Sequence, residues 1–192
     1  MGTKTFKRII LFASGSGSNV ENIIQYFKHN SKLEIVKVFT NNPKAGVIDR
    51  ISPMNIPISI FDKVQLANGQ LRDQIKLLNP DLIVLAGFLL KIPLDFVKAF
   101  PDKIINIHPS LLPKHGGKGM YGDFVHRSVK DSGDKQTGIT IHFVNEQYDQ
   151  GTVIFQAKVS VDQKDSIRDI AEKVHQLEYK HYPQIIENLL LY

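Results

Sequence analysis

The sequence predicts an α/β fold: an open, mostly parallel Rossmann-like sheet with helices on both faces and an antiparallel hairpin added in the C-terminal half. Three observations predict it. Strand-length apolar runs alternate with stretches of helical spacing through the first half of the chain, the order that winds a parallel sheet by right-handed crossovers. The first run, residues 6–13, leads straight into Ser14-Gly15-Ser16-Gly17-Ser18-Asn19 and then a helical pattern. Residues 137–144 instead alternate, and a turn joins them to a second strand-like run at 153–161, which reads as an antiparallel pair.

Each element follows from its own pattern. Residues 6–13 are apolar on both faces once past a basic start, as a buried parallel strand is. Val20, Ile23, Ile24 and Phe27 recur at helical spacing. Residues 33–40 make a second strand that ends at Asn41-Asn42-Pro43, then come a helix at 45–51 and a short strand at 56–61. One helix is expected over 66–78, through Leu71, Ile75 and Leu78. Residues 81–87 are the most hydrophobic segment and read as a central strand; an apolar loop at 88–93 and a short helix at 94–100 follow. After the strand at 104–108 come a glycine-dense loop at 115–122 and a helix at 123–130. The last helix, residues 166–186, is capped by Ser166 and is expected to kink or divide at Pro183.

The totals bound the classes of function. At 192 residues, with 42% hydrophobic and 22% charged, the chain suits one globular domain, residues 1–192. Its net charge of +5 is spread out rather than gathered in a run, which fits small anionic ligands better than a nucleic-acid duplex. With no cysteine there is no disulfide framework, no thiolate nucleophile and no cysteine metal site. The apolar run at 9–13 is too short for a signal peptide, and no stretch approaches membrane-spanning length. A cytoplasmic protein with no membrane partner is expected.

The chemistry gathers where strands end. Residues 104–114 open as a buried strand and place Asn106 and His108 two apart. Strand side chains alternate, so these two share a face while Ile105 and Ile107 take the other. Pro109 then ends the ladder, having no backbone N–H. An amide that can donate to an oxyanion thus stands beside an imidazole that can exchange a proton near neutral pH. The serine-glycine loop before the first helix offers backbone N–H groups to an anion, with Ser18 and Asn19 adding side-chain donors. It is neither a full dinucleotide fingerprint nor a Walker loop, and a helix-capping turn would look the same. The ends at residues 14–19, 88–92 and 108 share one rim of such a sheet, so they can share one site. The turn at 145–151 carries two carboxylates, Glu146 and Asp149, and the residues alone do not choose between them. The six other histidines show no metal-ligand spacing and read as surface or structural groups.

Four stretches carry a resemblance: Ser14-Gly15-Ser16-Gly17-Ser18-Asn19, Leu85-Ala86-Gly87-Phe88, residues 106–113 (Asn-Ile-His-Pro-Ser-Leu-Leu-Pro) and residues 142–151 (His-Phe-Val-Asn-Glu-Gln-Tyr-Asp-Gln-Gly). In this order the chain, from about residue 6 to about residue 188, resembles the folate-dependent phosphoribosylglycinamide formyltransferases of purine biosynthesis. The resemblance implies transfer of a formyl group from 10-formyltetrahydrofolate, a cosubstrate, to the amine of glycinamide ribonucleotide, with no metal. It implies a catalytic set of Asn106, His108 and Asp149, the last preferred over Glu146 on this ground alone. Gly17, Ser18 and Asn19 match the loop for the ribonucleotide phosphate, and Glu178 matches a glutamate near the glycinamide amine. Folate contacts fall on Leu89, Leu90, Lys91 and Ile92, on Asn106, and on Asn145 and Asp149. Asp149 is expected to raise the pKa of His108 by proximity of charge.

The chain departs from that pattern in places. Leu90 and Lys91 stand where the family often carries an arginine, and Lys63 stands near another. Lysine supplies a point charge where arginine supplies a fork, so recognition of the folate tail is where this chain should differ. Gln150-Gly151-Thr152 replaces a common Gly-Gly-Pro, and residues 116–122 are longer and richer in glycine than in many relatives. The alternatives are a formyltetrahydrofolate deformylase, a methionyl-tRNA formyltransferase, or a nucleotide-binding module without chemistry. The first usually has an extra N-terminal domain, with no room for it before Phe6. The second has a C-terminal domain, and this chain stops at Tyr192.

Overall fold

The computed structural model describes residues 6–192; the first five residues of the expected domain, and with them its N-terminus, lie outside the described residues. Strands β1 (Lys7–Ala13), β2 (Leu33–Thr40), β3 (Ile58–Ile60), β4 (Leu82–Leu85), β5 (Ile104–His108), β6 (Gln136–Phe143) and β7 (Val153–Ser160) form one sheet in the order β3-β2-β1-β4-β5-β6-β7. The first five run parallel, and β6 and β7 are antiparallel to their neighbours. Strand order reverses about β1, which opens a crevice at the carboxyl ends of β1 and β4. The expected fold class holds.

Strand alternation builds two core layers. Ile9, Leu11, Leu82, Val84, Ile105, Ile107, Ile139 and Ile141 face one layer, covered by α1 (Ser18–Phe27), α2 (Val47–Ile51) and α7 (Ile167–Leu191). Ile10, Phe12, Ile83, Leu85 and Ile104 face the other, covered by α4 (Gln70–Leu78) and α5 (Leu94–Ala99) through Leu71, Ile75 and Phe96. Phe12 stands at the centre of that second layer, its ring 5.3 Å from Phe39 and 5.2 Å from Phe88. Burying such a side chain contributes roughly 1.5–3 kcal/mol. Asn106 and His108 share the face of Ile104, while Ile105 and Ile107 anchor the strand from behind.

Three elements differ from expectation, each for a local reason. The single helix over 66–78 is two, α3 (Lys63–Ala67) and α4. Asp62 and Gln65 form a reciprocal cap that starts α3 early, and Gly69, at φ 85, breaks the run before α4. The strand expected at 56–61 pairs with β2 only over Ile58–Ile60. Pro183 does not divide α7, which runs on to Leu191. Proline strips the Tyr179 carbonyl of its helical donor, and Asn22 Nδ2 of α1 donates to that carbonyl instead at 2.9 Å.

Candidate active site

β5 delivers His108 to the rim almost fully buried, at 3% exposure. Its Nε2 lies 2.8 Å from the His115 carbonyl oxygen. A carbonyl only accepts, so Nε2 carries a proton and Nδ1 is the nitrogen left to titrate. That Nδ1 faces Asp149 Oδ2 at 3.5 Å. Asp149 sits at φ 55 in the turn between β6 and β7, a backbone state that Asp tolerates better than most residues. The Gly117 N–H donates to the same carboxylate oxygen at 2.8 Å. Glu146, the rival carboxylate, is exposed. Of the two carboxylates, Asp149 is the one beside His108.

Burial sets the pKa of His108. Removing the imidazole from water pushes it below its usual range; the Asp149 charge and the His115 carbonyl push it up, but burial prevails. The expected upward influence of Asp149 is present and the expected net rise is not. The reason is that a ring buried this deeply loses more hydration than one carboxylate 3.5 Å away restores. Burial likewise pushes Asp149 up, yet the protonated forms of His142 and His108, together with the Gly117 N–H, hold it below the usual carboxylate range.

His142 is the residue that reading the chain as ordinary histidines missed. β5 and β6 pair antiparallel, with Asn106 opposite His142 and His108 opposite Thr140. His142 Nδ1 donates to the Phe143 carbonyl at 2.8 Å. Its Nε2 is then an acceptor, and Asn106 Nδ2 donates to it at 3.3 Å. That fixes which way the Asn106 amide points and, among the described residues, leaves its second N–H free. Asp149 Oδ1 is farther from His142 Nε2, at 3.7 Å, so Asn106 is the closer partner.

The loop after β1 is stitched into the same rim. The Ser14 N–H donates to the Gly87 carbonyl, and Ser14 Oγ accepts from the Leu89 N–H, each at 3.0 Å. Gly17 adopts φ 76 directly before α1. A Cβ there would meet Val47 Cγ2 at 2.4 Å, so only glycine lets the loop lie against α2. The first N–H groups of α1 have no partner within the helix. Arg50, unremarked in the sequence, braces the loop, with Nε donating to the Ser16 carbonyl at 2.8 Å and Nη1 to Glu21 at 2.6 Å. Asn19 departs from expectation. Its side chain turns inward and donates to Glu178 Oε2 at 2.9 Å, so it is engaged with α7 and not with the loop.

Glu178 stands in the buried stripe of α7 made by Ile170, Val174, Tyr182 and Ile186. Burial pushes its carboxyl up, with Asn19 and the His175 charge opposing. On the other flank, Leu89 is half-exposed, Leu90 leans on the core and Ile92 is buried with Phe88 and Phe96. Lys91 Nζ lies 5.8 Å from the Tyr148 ring centre, one residue from Asp149, and Asn145 holds the turn by accepting from the Gln147 N–H at 2.9 Å. Lys63 is exposed at the start of α3. Among the described residues no group of three or more His, Cys, Asp or Glu side chains could hold a metal ion.

The family model described as formyl transferase matches residues 7–186. The chain belongs to the formyl transferase family. Within that family it is 35% identical over 190 residues to phosphoribosylglycinamide formyltransferase of Bacillus subtilis, covering 96% of this chain and 95% of the relative. It is 37% identical over 187 residues to the chloroplastic phosphoribosylglycinamide formyltransferase of Arabidopsis thaliana, covering 94% of this chain. The chain spans 64% of the length of that plant relative. Among solved structures, phosphoribosylglycinamide formyltransferase from Bacillus halodurans superposes with a TM-score of 0.87 at 32% identity, covering 96% of each chain. The formyl transferase fold thus spans the chain from β1 into α7.

Proposed function

We propose that this formyl transferase is a cytoplasmic, single-domain enzyme of purine biosynthesis that moves the formyl group of 10-formyltetrahydrofolate to the amine of glycinamide ribonucleotide. The observation that carries the reading is the approach of Asp149 to His108 at 3.5 Å, two residues along β5 from Asn106 and from a distant segment of the chain. The family and its named relatives support the choice of reaction.

In this reading the neutral amine nitrogen adds to the formyl carbon, and the carbonyl electron pair moves onto oxygen. The free N–H of Asn106 meets that oxygen. His108, kept unprotonated near neutral pH by burial, takes a proton at Nδ1 and joins Asn106 in stabilising the oxyanion. Asp149 balances the imidazolium so formed. The amine gives up one proton, the folate nitrogen gains one, and the carbon–nitrogen bond to folate breaks as the carbonyl re-forms. His108 carries the proton directly or through a water beside Asp149. Removing one such oxyanion donor typically costs about 10²–10³ in rate.

The remaining sites fall into place around this centre. Gly17, Ser18 and the N–H groups of α1 take the ribonucleotide phosphate; Asn19 acts through Glu178, which receives the glycinamide amine. Leu89, Leu90 and the backbone near Ile92 flank the folate, with Lys91 and Asn145 on its outer side. The test is to mix the protein with both substrates and follow tetrahydrofolate and the formylated ribonucleotide together. Equal amounts of the two products support transfer. Tetrahydrofolate formed as fast without the ribonucleotide identifies a deformylase instead, and no turnover at all leaves only a binding module.

A further inference from the structure

We propose that His115 is a positioning residue for His108, and that its imidazole, tied to Ser128 and Asp134, keeps the proton of His108 on Nε2. The inference rests on the formyl-transfer reading for its kinetic consequence, but its structural content does not.

His108 Nδ1 faces a carboxylate at 3.5 Å, and its Nε2 faces a neutral carbonyl at 2.8 Å. Left to itself, a neutral imidazole beside an ionised carboxylate places its single proton on the nearer ring nitrogen. That tautomer would put the proton on Nδ1 and leave Nε2 bare. Nδ1 could then no longer take a proton from the amine. The His115 carbonyl opposes this, and it does so only while it stays in place.

Its place is secured by an unusual set of contacts. His115 is a non-glycine residue at φ 54, a conformation that costs free energy and persists only when its surroundings hold it. Both ring nitrogens are tied: Nδ1 lies 2.8 Å from Ser128 Oγ on α6 (Asp123–Asp131), and Nε2 lies 2.9 Å from Asp134 Oδ2 just before β6. Asp134 also accepts from Lys114 Nζ at 2.9 Å, and Ser110 Oγ donates to the Lys114 carbonyl at 2.7 Å. The turn from His108 to His115 is therefore pinned at its far end to two elements outside it. The contacts that His115, Ser128, Asp134 and Lys114 make here are with one another and with the backbone of this turn. They act on the reaction through one carbonyl oxygen.

The test uses the whole protein with ¹⁵N-labelled histidine. In the wild type, the ¹⁵N spectrum of His108 shows the Nε2–H form; His108→Gln identifies its signals. In Ser128→Ala, Asp134→Ala and the double variant, the Nδ1–H form gains population. The groups that face His108 and set its titration are Asp149, His142, His115 and, farther off, His126; all four remain. With both substrates, kcat falls at least tenfold in the double variant, towards the about 10⁴-fold cost of a fully misplaced imidazole proton in a Ser-His-Asp triad, while KM for each substrate changes less than about threefold. Asp134→Asn, whose amide oxygen still accepts from the ring, restores most of kcat. An unchanged His108 tautomer with unchanged kcat in the double variant overturns the proposal. So does a rise in KM alone, which is what a merely loosened loop would give. If Asp134→Ala does not fold, Ser128→Ala alone carries the same readings. A wild type without formyl transfer defeats the reaction assignment, and the tautomer measurement still decides the role of His115.

Discussion

Asn106 Nδ2 and His142 Nε2 lie 3.3 Å apart across the antiparallel pair of β5 and β6, so a side chain on the second strand decides how the amide on the first is turned. His142→Ala leaves that amide free to rotate. The expected result is a fall in kcat, smaller than the about 10²–10³-fold loss expected for Asn106→Ala. His142→Gln, which can offer an acceptor oxygen, recovers part of it. Steady-state kinetics on the three variants check the order.

The pH–rate profile reports the burial of His108. Its pKa is pushed below the usual imidazole range, so kcat/KM rises with pH along a limb centred below that range. Asp149 raises the same pKa, and Asp149→Asn moves the limb to still lower pH as well as lowering the plateau. An acid limb in Asp149→Asn that coincides with the wild type removes Asp149 from the electrostatics of His108.

His126 makes stability depend on pH. It is 2% exposed, and among the described residues its Nδ1 has no partner. Burial, followed by the charge of His175, lowers its pKa from 6.5 to about 4. The unfolded chain therefore binds the proton first, and stability present above pH 6.5 is lost as pH falls towards 4. At about 1.4 kcal/mol per unit the loss approaches roughly 3 kcal/mol. Melting temperatures measured across that window should fall more steeply for the wild type than for His126→Gln.

Glu178 occupies a core position in α7, and burial raises its pKa. Glu178→Gln removes a buried ionisable group without changing its shape. The melting temperature at pH 8 should hold or rise, because the folded state no longer bears the cost of ionising there. The same variant should raise KM for the ribonucleotide by tenfold or more, charge-assisted hydrogen bonds being worth about 1.5–3 kcal/mol. A lower melting temperature with unchanged KM contradicts this account.

Gly17→Ala tests the proposed phosphate role of the loop before α1. At φ 76, with Val47 Cγ2 2.4 Å from the new Cβ, the variant should lose about 1–3 kcal/mol of stability. It should also bind the ribonucleotide more weakly, while folate affinity stays unchanged. Calorimetry with each ligand separates the two.

Local pattern was enough for much of this. Asn106 and His108 declare their shared face by strand alternation, and the two core layers follow from β1 and β4 in the same way. His142 was hidden because its partner lies in another strand, and register between strands is set by contacts that no single segment contains. Its own strand still held the signal: Thr140 and His142 are polar on one face while Ile139 and Ile141 are apolar on the other. Glu178 was legible too, as one polar residue in a four-residue repeat of Ile170, Val174, Tyr182 and Ile186. Pro183 misled because its missing hydrogen bond is replaced from α1. The pKa of His108 needed the depth of its burial, which the strand pattern does not give.

The most direct test of the central claim is a single-turnover reaction of the enzyme with 10-formyltetrahydrofolate and glycinamide ribonucleotide, run on the wild type and on Asn106→Ala, His108→Ala and Asp149→Ala. The account predicts that tetrahydrofolate and formylated ribonucleotide appear together in the wild type. Each variant should slow both by about 10² or more, while retaining the fold and binding the ribonucleotide. Wild-type rates in any of the three variants would contradict the claim that these side chains act on one reacting carbon.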